Sequence, residues 1–304
     1  MTDSTTPFRG LIAYPITPVA GPEKQADHGV LSRLVAHLAS AGVEGITVLA
    51  SSGSGASFDR EERRAIVQTA VAAAGDVPVY VAVSAPSTRS VLEFAQDAAG
   101  LGARGIVVTP FAYLPLDDDE VVALVQALSD ETPLPICFYN KPAQTQYDLP
   151  AAVLKRLVAE TNLVAIKEPA TRLGRPASRL AELRAAGGPD LSLGVSGDVQ
   201  MLTDLPLMDA WHTGLAAIRP ADYAAVWQAA RGGSTDALTQ VAPARAALLT
   251  LAQALATRSR GMGSLHALAA LCGIATDAPR LPQLPATDGD LAALRAALAP
   301  ESTE

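Results

Sequence analysis

The chain alternates strand-length apolar runs with helix-length amphipathic segments, and this alternation constrains the fold more than any other feature. The eight apolar runs cover residues 10–18, 45–50, 77–84, 104–110, 134–140, 163–169, 191–197 and 210–215. Continuous apolar runs are typical of strands that are buried on both faces of a parallel sheet. Eight strand-helix units in roughly 230 residues predict an α/β fold, a closed (β/α)8 TIM barrel, in preference to an open doubly wound sheet.

The alternation stops at the glycine pair Gly232-Gly233, and only helical periodicity follows it. Three further helices are predicted, over residues 235–258, 264–271 and 288–298. We therefore expect a barrel over residues 1–231 and a small helical C-terminal segment over 232–304. That segment is apolar enough to pack on the barrel or on another subunit.

The composition narrows the class of partner. A net charge of −8 argues against nucleic acid or an anionic membrane surface as the partner, which leaves a small molecule as the expected ligand.

No apolar run reaches the length of a membrane span, and the polar N-terminus lacks the apolar centre of a signal peptide, so we expect a cytoplasmic location. Cys137 and Cys272 are expected to be reduced core thiols, and the spacing of the four histidines predicts no metal site.

One lysine stands out because lysine is rare here. The chain has four lysines against nineteen arginines, yet Lys167 ends the apolar run that starts at residue 163. Burial lowers the pKa of an amine, by up to about 3–5 units when it is complete. A neutral amine attacks carbonyl groups and forms a Schiff base with them. The alternative is a lysine at a strand end that extends its amine to solvent.

Other candidates lie where the predicted strands end, because barrel enzymes carry their active sites at the carboxyl ends of the strands. The hydroxyls and N–H groups of Ser51 and Ser52 can hold a carboxylate without a formal positive charge, although an ordinary turn would look the same. Tyr139 is either a proton shuttle or core filling. His212 either contacts a substrate at the barrel mouth or fills the barrel.

Short motifs occur in a fixed order along the chain and carry a family resemblance. They are Ser51-Ser52-Gly53, Thr109-Pro110, Tyr139-Asn140-Lys141-Pro142, Ile166-Lys167-Glu168, Ser196-Gly197-Asp198 and Thr213-Gly214-Leu215-Ala216. Their order resembles the dihydrodipicolinate synthase / N-acetylneuraminate lyase family of class I, pyruvate-dependent aldolases over nearly the whole chain. The resemblance implies a (β/α)8 barrel with a helical C-terminal segment that assembles into a homo-oligomer, a tetramer or a dimer.

The same resemblance implies roles for individual residues. Lys167 would form a Schiff base with pyruvate or a related 2-oxo acid, and Tyr139 would shuttle protons beside it. Ser51 and Ser52 would hold the carboxylate of the 2-oxo acid, with Ser51 counted among the catalytic residues. No cofactor is implied beyond the covalent bond between the substrate and Lys167. His212, Gly214 and Gln144 complete the expected substrate-binding set.

Departures from the family pattern bear on the second substrate. Gln144 stands where the synthases carry a carboxylate-binding arginine, Ser54 stands where the family has a glutamate, and Ala112, followed by Tyr113, stands where the synthases have an interface tyrosine. A carboxylate that loses a bidentate arginine loses a charge-assisted contact that an amide cannot match. We therefore expect a hydroxylated or uncharged aldehyde, and dihydrodipicolinate synthesis is disfavoured.

The sequence thus predicts an aldolase-type lyase that makes or cleaves a carbon–carbon bond with an aldehyde or sugar-acid partner. Three alternatives stay open. They are a 2-oxo sugar-acid dehydratase, a 4-hydroxy-tetrahydrodipicolinate synthase, and a non-catalytic ligand-binding homologue. Lys167 and Tyr139 favour the enzymatic readings over the last one.

Overall fold

A closed barrel of eight parallel strands forms the body of the protein in a computed structural model that describes residues 7–170, 176–204 and 208–299. The barrel strands are β1 (Gly10–Ala13), β4 (Gly45–Val48), β5 (Val79–Ala82), β6 (Gly105–Val108), β7 (Ile136–Tyr139), β8 (Leu163–Pro169), β9 (Ser192–Ser196) and β10 (Ala210–Thr213). They follow each other around the barrel in chain order, and β10 closes it against β1. A small antiparallel pair, β2 (Val19–Ala20) and β3 (Gln25–Ala26), lies outside the barrel. The (β/α)8 prediction is confirmed.

Helices follow the barrel strands. They are α1 (His28–Ser40), α2 (Arg60–Ala73), α3 (Thr88–Gly100), α4 (Asp118–Glu131), α5 (Pro142–Thr145), α6 (Ala151–Glu160), α7 (Pro176–Gly187), α8 (Asp198–Asp204) and α9 (Pro220–Gly232). The C-terminal segment adds α10 (Thr235–Gln240), α11 (Ala242–Ala256), α12 (Gly261–Leu271) and α13 (Asp288–Leu298).

Local sequence explains where α2 begins. The Asp59 carboxylate accepts a hydrogen bond from the Glu62 N–H at 2.9 Å, and the Glu62 carboxylate accepts one from the Asp59 N–H at 3.0 Å. This reciprocal capping box satisfies two N–H groups that the first helical turn would otherwise leave unpaired, a contribution of about 1 kcal/mol for a typical N-cap.

The C-terminal helices differ from the sequence prediction at one point. A single helix was predicted over residues 235–258, whereas the structure has α10 and α11 separated at Val241. Pro243 lies in the first turn of α11. Proline has no N–H to donate and its ring clashes with the preceding turn, so it starts a helix readily and interrupts a continuous one.

The apolar core has two parts. One part packs the outer faces of the strands against the helices, and Trp211 there contacts the rings of Tyr223 and Trp227 at centroid distances of 4.9 and 6.3 Å. The other part fills the barrel interior, where the fully buried Phe8 stacks on Tyr80 with a centroid distance of 4.0 Å. Phe8 lies just before β1 and therefore closes the amino-terminal end of the barrel.

The C-terminal segment is packed onto the barrel. Helix α11 contacts α8 and α9, and Arg280 joins the segment to the start of α2. The Arg280 guanidinium donates to the Ser57 carbonyl at 2.9 Å and to the Glu62 carboxylate at 2.8 Å. A Cβ on Gly263 would lie 2.2 Å from the Leu284 carbonyl oxygen, so only glycine allows α12 to approach this closely. Within the described ranges, no helix has the length and apolar character that a membrane crossing requires.

Candidate active site

Lys167 and Tyr139 lie side by side at the carboxyl ends of two neighbouring strands. Strands β7 and β8 pair in the register Tyr139 with Lys167, and the Lys167 amine lies 4.0 Å from the centroid of the Tyr139 ring. The Lys167 side chain is only 5% exposed, so it does not reach out to solvent. The structure therefore brings together the two groups on which the chemical prediction depends.

Asn140 and Glu168, which directly follow Tyr139 and Lys167, hold β7 and β8 in this register. Asn140 and Glu168 are buried, and the Asn140 amide donates to the Glu168 carboxylate at 2.9 Å. The Asn140 side-chain oxygen Oδ1 accepts from the Leu149 N–H at 3.3 Å, and the Arg179 guanidinium donates to the Glu168 carboxylate at 3.4 Å. The sequence motifs included Asn140 and Glu168 without a role, and the structure shows that they join the ends of β7 and β8.

The environment of Lys167 favours the neutral amine. Burial, with a smaller contribution from the positive charge of Lys141, lowers its pKa to about 7. The Tyr14 ring lies 3.6 Å from the amine. Among the described residues, no hydrogen bond or ion pair involves the Lys167 amine. A large fraction of this lysine is therefore nucleophilic near neutral pH.

Tyr139 is suited to proton transfer by its position and its protonation state. Burial raises the pKa of its phenol, an effect that a hydrogen bond with the Ser196 side chain partly offsets. The hydroxyl is therefore protonated at neutral pH and can both donate and accept. Tyr139 lines a cavity at this end of the barrel, and its ring contacts the Lys167 amine, so it lies between the cavity and that amine.

A cavity of about 290 Å³ opens at the carboxyl ends of the strands. Of the predicted site residues, Ser51, Tyr139 and Gln144 line it, whereas Lys167, which is buried beside the Tyr139 ring, does not. Met262 and Gln283 also line it, so the C-terminal segment forms part of its wall. Sequence reasoning assigned no site residue to that segment, because helical periodicity does not show which side of the barrel a helix covers.

The turn after β4 is held in one shape by close backbone contacts. Leu49 and Ser54 have positive φ values of 60° and 50°, and a Cβ on Gly55 would lie 1.8 Å from the Leu49 carbonyl oxygen. Position 55 therefore requires glycine. Within the described chain, the N–H groups of Ser51 and Ser52 donate no hydrogen bond, so both are available to a ligand.

Ser52 and Gly214 lie next to each other, outside the cavity lining. The Ser52 hydroxyl donates to the Tyr14 carbonyl at 2.9 Å, and a Cβ on Gly214 would lie 3.7 Å from the Ser52 Cβ. This hydrogen bond joins the Ser52 hydroxyl to the end of β1. The Ser52 N–H is the group of this residue that stays available to a ligand. The predicted substrate contacts of Ser52 and Gly214 stay predictions.

His212 lies deeper than the sequence predicts. It is 1% exposed, it does not line the cavity, and its Nδ1 lies 2.9 Å from the Tyr14 hydroxyl. A Cβ on Gly194 would lie 2.1 Å from the His212 Nε2, which shows how tightly the ring fills the barrel. Burial lowers its pKa well below the usual value, so the ring is neutral. The expected position of His212 at the barrel mouth is therefore corrected to the barrel interior.

Lys141 is the site residue that sequence reasoning missed. Its amine lies on the cavity wall and donates to the Ser51 hydroxyl at 2.9 Å. The Ser51 hydroxyl therefore has a formal positive charge beside it, which the sequence prediction did not include. The rarity of lysine, which singled out Lys167, applies equally to a lysine two residues after Tyr139, and this signal could have identified it.

Comparison with known proteins assigns the chain to a family. The model of the dihydrodipicolinate synthetase family matches residues 7–300. The chain belongs to this family. Members of the dihydrodipicolinate synthetase family are class I aldolase-type lyases, and the chain is an enzyme of that class.

Individual members of the dihydrodipicolinate synthetase family carry different activities in their names. The chain is 28% identical over 300 residues to the 4-hydroxy-tetrahydrodipicolinate synthase of Acidiphilium cryptum, covering 96% of this chain and 97% of that protein. It is 27% identical over 228 residues to the putative 2-dehydro-3-deoxy-D-gluconate aldolase YagE of Escherichia coli K12, covering 68% and 75%. The crystal structure of dihydrodipicolinate synthase from Agrobacterium tumefaciens superposes with a TM-score of 0.87 at 28% identity, covering 97% of this chain and 99% of that one.

The described residues hold no group of three or more His, Cys, Asp and Glu side chains placed to bind a metal ion. Cys137 is buried and Cys272 is partly buried, and neither forms a disulfide. Burial raises the pKa of the Cys137 thiol to about 12, so this thiol is protonated and unreactive at neutral pH. The Lys167 amine, with its pKa lowered to about 7, is therefore a better nucleophile at neutral pH than this thiol.

Proposed function

We propose that the chain is a Schiff-base-forming aldolase that acts on pyruvate or a related 2-oxo acid. It would make or cleave a carbon–carbon bond with an aldehyde or sugar-acid partner. The observation that carries this proposal is the buried Lys167 amine, with a pKa lowered to about 7, beside the Tyr139 ring. A buried lysine with this pKa could have a purely structural role if it stood alone. The phenol of Tyr139, at the end of the neighbouring strand, could supply the proton transfers that imine formation needs.

The neutral Lys167 amine would attack the carbonyl carbon of the 2-oxo acid and form a carbinolamine. Tyr139 would donate its proton to the departing hydroxyl, so that water leaves and an iminium ion forms. The Tyr139 phenolate would then take a proton from the neighbouring carbon, which gives an enamine. The enamine attacks the aldehyde carbon and forms the new carbon–carbon bond, and Tyr139 returns the proton to the aldehyde oxygen. Hydrolysis of the product iminium ion then restores the amine. The reverse sequence cleaves the same bond.

Ser51 would bind the substrate through its hydroxyl and its backbone N–H. Ser52 would contribute its N–H alone, since its hydroxyl donates to the Tyr14 carbonyl. Backbone N–H groups held in a rigid turn bind a carboxylate without reorganisation, and the close packing of Gly55 on Leu49 supplies that rigidity. The reaction sequence requires no separate cofactor.

A 4-hydroxy-tetrahydrodipicolinate synthase is the second candidate. The Acidiphilium cryptum relative carries that name, and the Lys141 amine provides a cation in the cavity although Gln144 replaces the arginine. The prediction of an uncharged aldehyde was based on Gln144 and His212. Because His212 lies inside the barrel, only Gln144 still supports it. The dehydratase and the cytoplasmic location stay predictions from the sequence, whereas membership of this enzyme family disfavours the non-catalytic homologue.

We also propose that the chain forms a homo-oligomer, a dimer or a tetramer. Phe111, Tyr113 and Leu114 form an apolar surface after β6, with 44%, 95% and 70% of each residue exposed. Contiguous exposed apolar side chains favour a protein contact, and Phe111 also lines the cavity. A partner subunit on this surface would adjoin the active site. Analytical ultracentrifugation of the wild type and Tyr113→Asp tests this proposal, since the variant should shift toward the monomer.

Borohydride trapping tests the proposed chemistry. The protein is incubated with pyruvate, reduced with sodium borohydride and measured by intact-protein mass spectrometry. We expect a mass increase of one reduced pyruvate in the wild type and no increase in Lys167→Ala. Peptide mapping should place the label on Lys167.

Lys155→Ala is the matched control, because Lys155 is exposed on α6 and does not line the cavity. It should be labelled as fully as the wild type. Equal labelling of the Lys167→Ala variant would show that another amine reacts, and no labelling of the wild type by any 2-oxo acid would contradict the Schiff-base mechanism.

A further inference from the structure

Lys141 is the one charged side chain among the described residues that line the cavity. It precedes the short helix α5 directly, and its amine reaches across to the Ser51 hydroxyl on the turn after β4. The amine lies 5.5 Å from the centroid of the Tyr139 ring, the same ring that contacts Lys167. Two lysine amines therefore flank Tyr139.

The positive charge of Lys141 has no carboxylate partner in the described part of the chain. Its side chain is half-buried, and burial lowers its pKa. A partly desolvated ammonium group without a counter-ion is costly, and a bound anion removes most of that cost. Because the cavity lining contributes no acidic side chain, the anion would come from the ligand.

The neighbours of Lys141 provide further donors of hydrogen bonds. The Ser51 oxygen accepts from Lys141, which leaves the Ser51 O–H free to donate. Gln144 lies three residues after Lys141 and lines the same cavity. An ammonium, a hydroxyl and an amide around one cavity are groups that bind a carboxylate.

We propose that Lys141, with Ser51 and Gln144, binds a carboxylate of the substrate. This inference builds on the proposed Schiff-base function and adds a residue that determines which substrates bind. The carboxylate is either the one adjacent to the reacting carbonyl or a second one at the far end of the substrate. Both sources share the same chemistry, and the experiment below separates them.

The experiment measures the half-saturating concentration for borohydride trapping in the wild type, Lys141→Met and Lys141→Arg. Four probes are compared: pyruvate, its uncharged methyl ester, 2-oxoglutarate, and 2-oxopentanoate, which has the same chain length without the second carboxylate. Lys155→Met is the control for removal of a surface lysine charge. Loss of one charge-assisted contact should raise the half-saturating concentration roughly 10- to 100-fold.

The two possible carboxylates predict different effects of Lys141→Met on the four probes. If Lys141 binds the far carboxylate, Lys141→Met weakens 2-oxoglutarate alone and abolishes its advantage over 2-oxopentanoate. If Lys141 binds the carboxylate beside the carbonyl, the variant weakens all three acids and leaves methyl pyruvate unchanged. In either case Lys141→Arg should retain part of the binding, because it keeps the charge.

Two results would overturn the inference. One is an unchanged half-saturating concentration for every acid in Lys141→Met. The other is an equal increase for the acids and the methyl ester, since Lys141 would then act only through the protonation of Lys167.

A second measurement separates this inference from the proposed function. Glutarate has two carboxylates and no carbonyl, so it binds without forming a Schiff base. Glutarate should raise the Tm of the wild type and of Lys155→Met, and should do so less in Lys141→Met. If trapping fails with every 2-oxo acid, this result would still support the carboxylate site, and an equal response of all three proteins would reject it.

Discussion

The Lys167 amine lies 3.6 Å from the centroid of the Tyr14 ring and 4.0 Å from that of the Tyr139 ring. A ring face attracts a cation, yet the amine also lies in a buried environment that disfavours charge. Burial is the largest influence, because the pKa of Lys167 falls to about 7 in spite of the two rings. The amine is thus close to half neutral at physiological pH while it contacts the ring of a tyrosine whose hydroxyl is protonated.

The first prediction concerns the pH dependence of Schiff-base formation. Only the neutral amine attacks a carbonyl, so the initial rate of pyruvate trapping should rise with pH and level off above the pKa of about 7. An ordinary lysine would give a rate that still rises at pH 9. The rate is measured with sodium cyanoborohydride between pH 5.5 and 9.5, with a free lysine peptide as the reference. A midpoint above pH 9 would show that burial does not activate Lys167.

The second prediction concerns stability. In the unfolded chain Lys167 takes up a proton near pH 10.4, whereas in the folded chain it does so only near pH 7. The unfolded state therefore binds more protons between these values, so wild-type stability should rise with pH through this window. The destabilisation is complete below pH 7 and disappears near pH 10.4. At about 1.4 kcal/mol per pH unit it amounts to several kcal/mol.

Lys167→Met keeps a long side chain and removes the titrating group. The variant should have a higher Tm than the wild type at pH 7, and the difference should shrink as the pH approaches 10. Lys155→Met serves as the control, because that exposed lysine should give no such trend. A constant difference between wild type and Lys167→Met across this range would contradict the depressed pKa.

The sequence was sufficient to predict the barrel fold and the pairing of Tyr139 with Lys167. Consecutive strands of a (β/α)8 barrel are neighbours, so groups that end two successive strands must lie together. This rule alone places Tyr139 beside Lys167. It also places Ser51 and Gln144 at the same rim, because both follow barrel strands.

His212 shows one limit of such reasoning. The period of two along a strand tells which face a side chain occupies, and it correctly puts His212 on an inward-facing position. It does not tell how far along the barrel axis the side chain lies. The space left by Gly194 and the hydrogen bond with Tyr14 determine that depth, and both come from other strands.

Lys141, Met262 and Gln283 show another limit. Lys141 lies in an irregular connection, where no periodicity fixes the direction of a side chain. Met262 and Gln283 reach the cavity because α12 packs closely at Gly263, a tertiary contact that their own sequence does not encode. The positions of these three side chains therefore depend on long-range packing, which the sequence pattern does not show.

The third prediction concerns the hydrogen bond between Tyr14 and His212. Tyr14→Phe keeps the ring beside Lys167 and removes the hydroxyl that lies 2.9 Å from the His212 Nδ1. The His212 Nε2 is already buried without a partner among the described residues, so the variant would leave both ring nitrogens unpaired. We expect a loss of about 1–3 kcal/mol in the free energy of unfolding.

Urea denaturation of wild type and Tyr14→Phe measures this loss. His212→Phe in the Tyr14→Phe background is the matching test, because it removes the unpaired nitrogens while keeping a ring of similar size. The double variant should be more stable than Tyr14→Phe. If Tyr14→Phe unfolds at the same urea concentration as the wild type, the hydrogen bond contributes nothing to stability.

The last prediction separates binding from proton transfer at Tyr139. Tyr139→Phe keeps the ring that contacts both lysine amines and removes the hydroxyl. Because a positioned general acid or base contributes typically about 10²- to 10⁴-fold, kcat should fall by that span. The half-saturating concentration of pyruvate should change little, because the carboxylate contacts of Ser51 remain. The rate of trapping should fall together with kcat, since loss of water from the carbinolamine needs the same proton. A decrease of less than a few-fold in both rates would show that Tyr139 only packs against Lys167 and that another group transfers the proton.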